Sequence, residues 1–377
     1  MSMNLSTKEL QRSKFCQVAT PENPLWLANG EKLDFVTLAY KTYGKLNKER
    51  NNTILIFHVL TSSQNLSGYD DYDPTGHNLW NHECQEGWWN DFVGNNCAFD
   101  TDDYFIICAN YLGGCYGSTG PLSINPDTNH PYLDKFPFIA HTDVVDSQVR
   151  LLDYLNINEV YAVVGASLGG MLAHDFAVRY SQRVKKVISL SASIKTNESQ
   201  IVNNLEQILT LKSHLSINNS DEYAKRGLML AILIALKHYC PLRYLAKTIK
   251  NKSDICPDFL YPQENFKYPI ESFLFYNSQQ FTKRFCPHSY LRIISLFQGV
   301  EIEKEAFERC QTQEWLVFSV NSDTCFFPED QLMLRDILNK YHISNKFVTI
   351  SSEIGHDSFL KESLLYHDYI KDFLEEI

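Results

Sequence analysis

The first half of the sequence alternates short, almost wholly apolar runs with longer segments whose apolar residues recur every three or four positions. The runs are Phe35–Tyr40, Thr53–His58, Tyr104–Ala109, Val160–Val164 and Val187–Leu190. They are rich in β-branched and aromatic residues and show little polar alternation. That pattern predicts strands covered on both faces, as in a parallel sheet. Between them, Thr142–Leu155 sets Val145, Gln148, Leu152 and Leu155 on one stripe, with Thr142 or Asp143 as the cap. Leu172–Tyr180 reads as a second helix, directly after a strand and a tight turn. Strand, helix and strand in that order imply right-handed crossovers and a doubly wound sheet.

After Lys195 the pattern changes. Helical periodicity dominates as far as Cys310, including Glu222–Lys250 and Tyr290–Arg309. Strand-like runs return at Trp315–Val320 and Phe347–Ile350, followed by a helix around Glu362–Glu375. The expectation is an α/β core made of residues 1–194 and 311–377, interrupted by a helical lid over residues 195–310.

Composition narrows the function. The 377 residues carry 34 Lys+Arg against 45 Asp+Glu, a net charge of −11, which argues against a nucleic-acid or anionic-membrane surface. The longest apolar stretch, Leu228–Leu236, is nine residues, about half of a membrane span. The segment MSMNLSTKELQRSKF has no apolar core of the kind a secretory signal needs. Ten cysteines are scattered with no C-x-x-C pair, which suggests reduced thiols in a cytoplasmic protein rather than disulfides or a zinc site. The loop at residues 70–87 offers Asp, His and Cys without metal-ligand spacing and reads as a solvated insertion, so no metal is expected.

The segment Gly165-Ala166-Ser167-Leu168-Gly169 is G-x-S-x-G between a predicted strand and a predicted helix. Such a turn forces the serine into strained backbone angles and presents its hydroxyl outward, as a nucleophile. A nucleophilic serine needs a base and a carboxylate to orient it, in the order Ser, Asp or Glu, His. Asp323 follows the strand Trp315–Val320, and His356 follows Phe347–Ile350. Among twelve histidines only His356 has this late, post-strand position. Loops at the carboxyl edge of one parallel sheet can converge on a site. The oxyanion hole would take one backbone N–H from Leu168 and one from the loop His58–Ser62, with Leu60 the best candidate.

The blocks LAYKTYGKLN (38–47), HVLT (58–61), GWW (87–89), GGCYGSTGPLSINP (113–126), GASLGGM (165–171), NSDTCFFPEDQ (321–331) and GHDSFL (355–360) resemble those of homoserine O-acetyltransferases. They fall in the family's order and span nearly the whole sequence. The resemblance implies an α/β-hydrolase fold, mostly parallel, with an inserted helical lid that also forms a homodimer. It implies ping-pong acyl transfer from acetyl-CoA, a co-substrate, to L-homoserine in methionine biosynthesis, with no cofactor. Ser167 would be acylated, His356 would serve as base and acid, Asp323 would orient it, and Asp357 would contact the acceptor. One position departs. The family's lid motif G-L-x-x-A-R, with Tyr seven residues on, reads Gly227-Leu228-Met229-Leu230-Ala231-Ile232 here, with Tyr239 in place. The Arg that holds the acceptor's carboxylate is thus Ile232, and the Gln expected after GGM is Leu172. Another cation must then replace the clamp, or the acceptor differs. This leaves an esterase, an acyltransferase for another alcohol, or succinyl-CoA as donor as alternatives. A binding protein on a degenerate hydrolase fold is a third reading.

Overall fold

The computed structural model describes residues 12–217, 220–249 and 268–376. The seven predicted strands and an unpredicted one, Lys14–Ala19, assemble into one eight-stranded sheet. They are β1 (Lys14–Ala19), β2 (Val36–Tyr43), β3 (Thr53–Phe57), β4 (Phe105–Ala109), β5 (Val160–Ala166), β6 (Val184–Leu190), β7 (Glu314–Val320) and β8 (Ser344–Ile350). Their spatial order is β1-β2-β4-β3-β5-β6-β7-β8. From β4 through β8 every pairing is parallel, whereas β2 runs antiparallel to both β1 and β4. Alternate residues of one strand feed two cores. Leu55 and Phe57 join the side that holds Val163 and Val187, while Ile54 and Ile56 join Ala162, Val164 and Ile188 on the other. Burial on both faces explains the near-continuous apolar runs; each such side chain contributes about 1.5–3 kcal/mol on leaving water.

Helices α1 (His141–Tyr154) and α2 (Leu168–Arg179) pack on the first face. The cap of α1 is neither Thr142 nor Asp143 but Ala140. Asp143 works from inside the first turn, where its carboxylate accepts from the Ala140 N–H at 2.7 Å and the Ala28 N–H at 2.8 Å. Between β6 and β7, which pair in parallel, lie α3 (Glu198–Leu215), α4 (Asp221–Tyr239), α5 (Leu242–Ile249), α6 (Pro269–Phe281) and α7 (Pro287–Gln298). After β7 come α8 (Pro328–Lys340) and, following β8, α9 (His367–Glu375).

The helix expected over Glu222–Lys250 is broken into α4 and α5, bent by 98°; Lys250 and Cys256 lie outside the described residues. Pro241 supplies no N–H and drives Cys240 into an extended conformation (φ −135°, ψ 130°). The expected Tyr290–Arg309 helix starts earlier, at Pro287, and stops at Gly299, before a separate 3-10 segment, Lys304–Cys310. The carboxyl-terminal helix begins at His367 rather than Glu362. Glu362 leaves helical geometry while its carboxylate accepts from the Ser352 and Ser358 hydroxyls. Among the described residues no single helix is long and apolar enough to cross a membrane. The insertion at 70–87 is not wholly solvated, because Asp70 is buried against Lys41, 3.1 Å away.

Candidate active site

The strand β5 runs straight into α2 through Ser167, whose φ of 57° and ψ of −130° lie outside the ordinary regions for a residue with a side chain. Tight packing imposes this strain. A Cβ on Gly165 would sit 2.1 Å from the Gly169 carbonyl oxygen, and one on Gly169 would sit 2.2 Å from that of Phe57. The two flanking glycines therefore let α2 close onto the ends of β5 and β3. The Ser167 N–H donates to the Leu190 carbonyl at 3.0 Å, which fixes the turn against β6.

Two loops from the carboxyl ends of β7 and β8 meet this serine. The His356 Nε2 and the Ser167 hydroxyl are 2.8 Å apart, and the His356 Nδ1 lies 2.7 Å from the Asp323 Oδ2. The other carboxylate oxygen of Asp323 accepts from the Cys325 and Phe326 N–H groups at 2.8 and 2.9 Å. All three residues are buried. The loops are tied to each other as well, by the Ser352 N–H donating to Asn321 and the Ser322 hydroxyl donating to the Ser352 carbonyl. Rings enclose the imidazole. Phe326 stacks on it at 5.2 Å, Phe359 meets it edge-on at 5.1 Å, and Tyr239 stacks at 6.2 Å. An imidazole held between an alcohol and a carboxylate can take the hydroxyl proton while the carboxylate stabilises the resulting charge.

Leu168 and Leu60 are both buried. Among the described residues neither backbone N–H donates to a protein group. The Gly169 contact with the Phe57 and His58 carbonyls shows that the turn holding Leu60 abuts the serine turn. Tyr239 is the last residue of α4, and in α7 the Tyr290 hydroxyl donates to Gln207 at 2.5 Å. Asp357 pairs with Lys361, one helical turn on, at 2.6 Å. Ile232 lies buried in the apolar core with Leu228 and Ala231, and Leu172 is buried too. A cleft of about 680 Å³ opens beside Asp323, lined in part by Lys237, His238 and Arg243. None of these site residues lines the cavity of about 430 Å³ between the 70–87 insertion and the first turns of α4 and α7.

A family model for the alpha/beta hydrolase fold matches residues 52–363. A homoserine O-acetyltransferase from Deferribacter desulfuricans is 34% identical over 372 residues, covering 95% of this chain and 94% of its own. The chain belongs to the homoserine O-acetyltransferase family. The crystal structure of a homoserine O-acetyltransferase from Bacillus anthracis superposes with a TM-score of 0.84 at 23% identity, covering 97% of this chain and 98% of that one. Esterase E22 superposes nearly as well, with a TM-score of 0.81 at 23% identity over 96% of this chain and 99% of that one. At these identities the two structures bear on the fold, and the fold alone does not separate transfer from hydrolysis.

Two features of this homoserine O-acetyltransferase family member stand out near the triad, the Lys361 partner of Asp357 and the buried position of Ile232. Sequence reasoning missed Lys361, although its spacing of four from Asp357 is a readable helical signal. It also missed Arg284, which follows α6. Arg284 donates to the Thr61 carbonyl and the Tyr116 hydroxyl, each at 3.0 Å, and to Glu83 at 3.0 Å. These partners lie more than 160 positions away in sequence, so no local pattern announces them.

Proposed function

We propose that this chain is a CoA-dependent O-acyltransferase that moves an acetyl group from acetyl-CoA to the hydroxyl of L-homoserine through an acetyl-Ser167 intermediate. The observation that carries the reading is the hydrogen-bonded Ser167–His356–Asp323 set at a strained turn in a member of this family. Ser167 Oγ attacks the thioester carbonyl as His356 Nε2 takes its proton, and Asp323 stabilises the imidazolium. The Leu60 and Leu168 N–H groups receive the oxyanion. Collapse breaks the C–S bond, and His356 returns the proton to the leaving CoA sulfur. The acceptor hydroxyl then repeats the sequence on the acetyl-serine ester, giving up its proton to His356, and Ser167 leaves reprotonated. Closing the lid's aromatic residues over His356 would keep water from competing.

The acceptor's charges meet a different arrangement from the one the family resemblance implies. Ile232 offers no cation, while the Asp357–Lys361 pair beside His356 presents both signs, Lys361 for a carboxylate and Asp357 for an ammonium. CoA release from acetyl-CoA is therefore expected to accelerate several-fold on adding L-homoserine, and Lys361→Met is expected to raise the KM for homoserine by about tenfold. CoA release that ignores homoserine would favour the second reading, an esterase or an acyltransferase for another alcohol. The buried, apolar Ile232 is the observation behind that reading, and succinyl-CoA remains its alternative donor.

We also place a second copy of the chain against the lid. The outer face of α3 exposes Ile201, Val202, Leu205 and Leu209, an apolar stripe at helical spacing. A homodimer through this face should become monomeric in Leu205→Asp/Leu209→Asp, as read by sedimentation; a monomeric wild type would remove the interface. We also propose a cytoplasmic setting, on the scattered cysteine pattern of the sequence.

A further inference from the structure

The turn that follows β3 is held by its carbonyls. Tyr111 donates its hydroxyl to the His58 carbonyl, and Trp88 donates its indole N–H to that of Ser63 at 2.9 Å. The Val59 carbonyl takes two donors, the His58 Nδ1 at 2.7 Å and the Ser62 N–H at 3.0 Å. The Thr61 carbonyl accepts from Arg284 Nη1 at 3.0 Å. Four of these five donors come from residues 58–111, whereas Arg284 comes from the segment joining helices α6 and α7.

Each bond has a consequence one peptide further along. No described peptide bond is cis, so every C=O and the N–H of the same peptide point in opposite directions. Arg284 holds the Thr61 C=O, and the N–H of that peptide, on Ser62, points to the Val59 C=O. The N–H of the Val59 peptide belongs to Leu60 and is left open. The result is a relay from a guanidinium through two peptide dipoles to Leu60, each bond polarising the next. His58 adds a second donor at the last carbonyl, which uses both of its lone pairs.

The histidine is suited to a fixed role. Because a carbonyl only accepts, Nδ1 must carry the proton and Nε2 must be bare. Burial pushes the His58 pKa down to about 4, with the hydrogen bond to Val59 acting the other way, so the ring stays neutral at ordinary pH. It stacks on Tyr111 with centroids 3.7 Å apart, and its Nε2 has no hydrogen-bond partner among the described residues.

We infer that Arg284 and His58 are positioning residues of the oxyanion hole, which aim and polarise the Leu60 N–H through the Thr61–Ser62 and Val59–Leu60 peptides. The lid thereby acts on the chemistry through one arginine rather than only by covering the site. The inference rests on the acyl-serine reading above and deepens it.

The test uses hydrolysis of p-nitrophenyl acetate, affinity for a boronic acid that becomes tetrahedral on the serine, and thermal melting. Arg284→Met and His58→Phe should each lower kcat by about 10- to 100-fold while KM moves within about twofold. Affinity for the boronic acid should fall in proportion to kcat. Arg284→Lys and His58→Asn, which keep a donor at each carbonyl, should recover much of the loss at the same melting temperature as the severe variants. A kcat that stays within about threefold of wild type, or that falls without loss of boronic-acid affinity, would overturn the inference. Labelling of wild-type Ser167 by a fluorophosphonate, run to completion, separates the two levels. Failure to label overturns the acyl-serine reading itself, and labelling with unaffected variants overturns only the relay.

Discussion

Ser167→Ala is expected to lower acyl transfer from acetyl-CoA by a factor on the order of 10⁴ to 10⁶. The hydroxyl is the group in hydrogen-bond contact with His356, and among the described residues no other alcohol bonds to that nitrogen. The variant should fold normally. Alanine meets the same φ of 57° that Ser167 already bears, and the glycine contacts that create the turn are untouched. A thiol reagent that reads CoA release gives the rate, and melting gives the control. Turnover within tenfold of wild type in a folded Ser167→Ala protein would remove the mechanism.

Asp323→Asn should cost about 10⁴ in kcat, through a tautomer rather than through lost packing. The Asp323 Oδ1 already accepts from two N–H groups, at Cys325 and Phe326, so an asparagine would place its oxygen there. Its amide nitrogen would then face the His356 Nδ1, donor against donor. The ring can relieve the clash by moving its proton to Nε2, which leaves no base to accept the proton of Ser167. Steady-state kinetics of the folded variant are the check, and a loss of less than tenfold would show that Asp323 does not orient the ring.

The parts of this site that were legible in the sequence were those coded locally. Gly165 and Gly169 flank Ser167 within five residues, and the apolar run before them and the amphipathic run after them give the strand and the helix. Asp323 and His356 were readable because each follows a strand of the same parallel sheet, whose carboxyl edge gathers loops. The break at Cys240–Pro241 does carry a signal in Pro241, but the apolar periodicity on either side masks it. The cap of α1 was misplaced because Asp143 satisfies Ala140 and Ala28 from the first turn instead of preceding it. The Arg284 relay was beyond reach. It depends on carbonyl directions, which leave no trace in side-chain pattern, and on partners brought together only when the segment between α6 and α7 meets the turn after β3.

The chemistry proposed for this protein passes through one covalent species, so its direct observation is the decisive measurement. The protein would be mixed with acetyl-CoA without acceptor, quenched in acid, digested and read by mass spectrometry. The account predicts one acetyl group on the peptide bearing Ser167, lost rapidly when L-homoserine is added before the quench and matched by O-acetylhomoserine in solution. No adduct, or an acetyl group carried by a cysteine peptide instead, would contradict it.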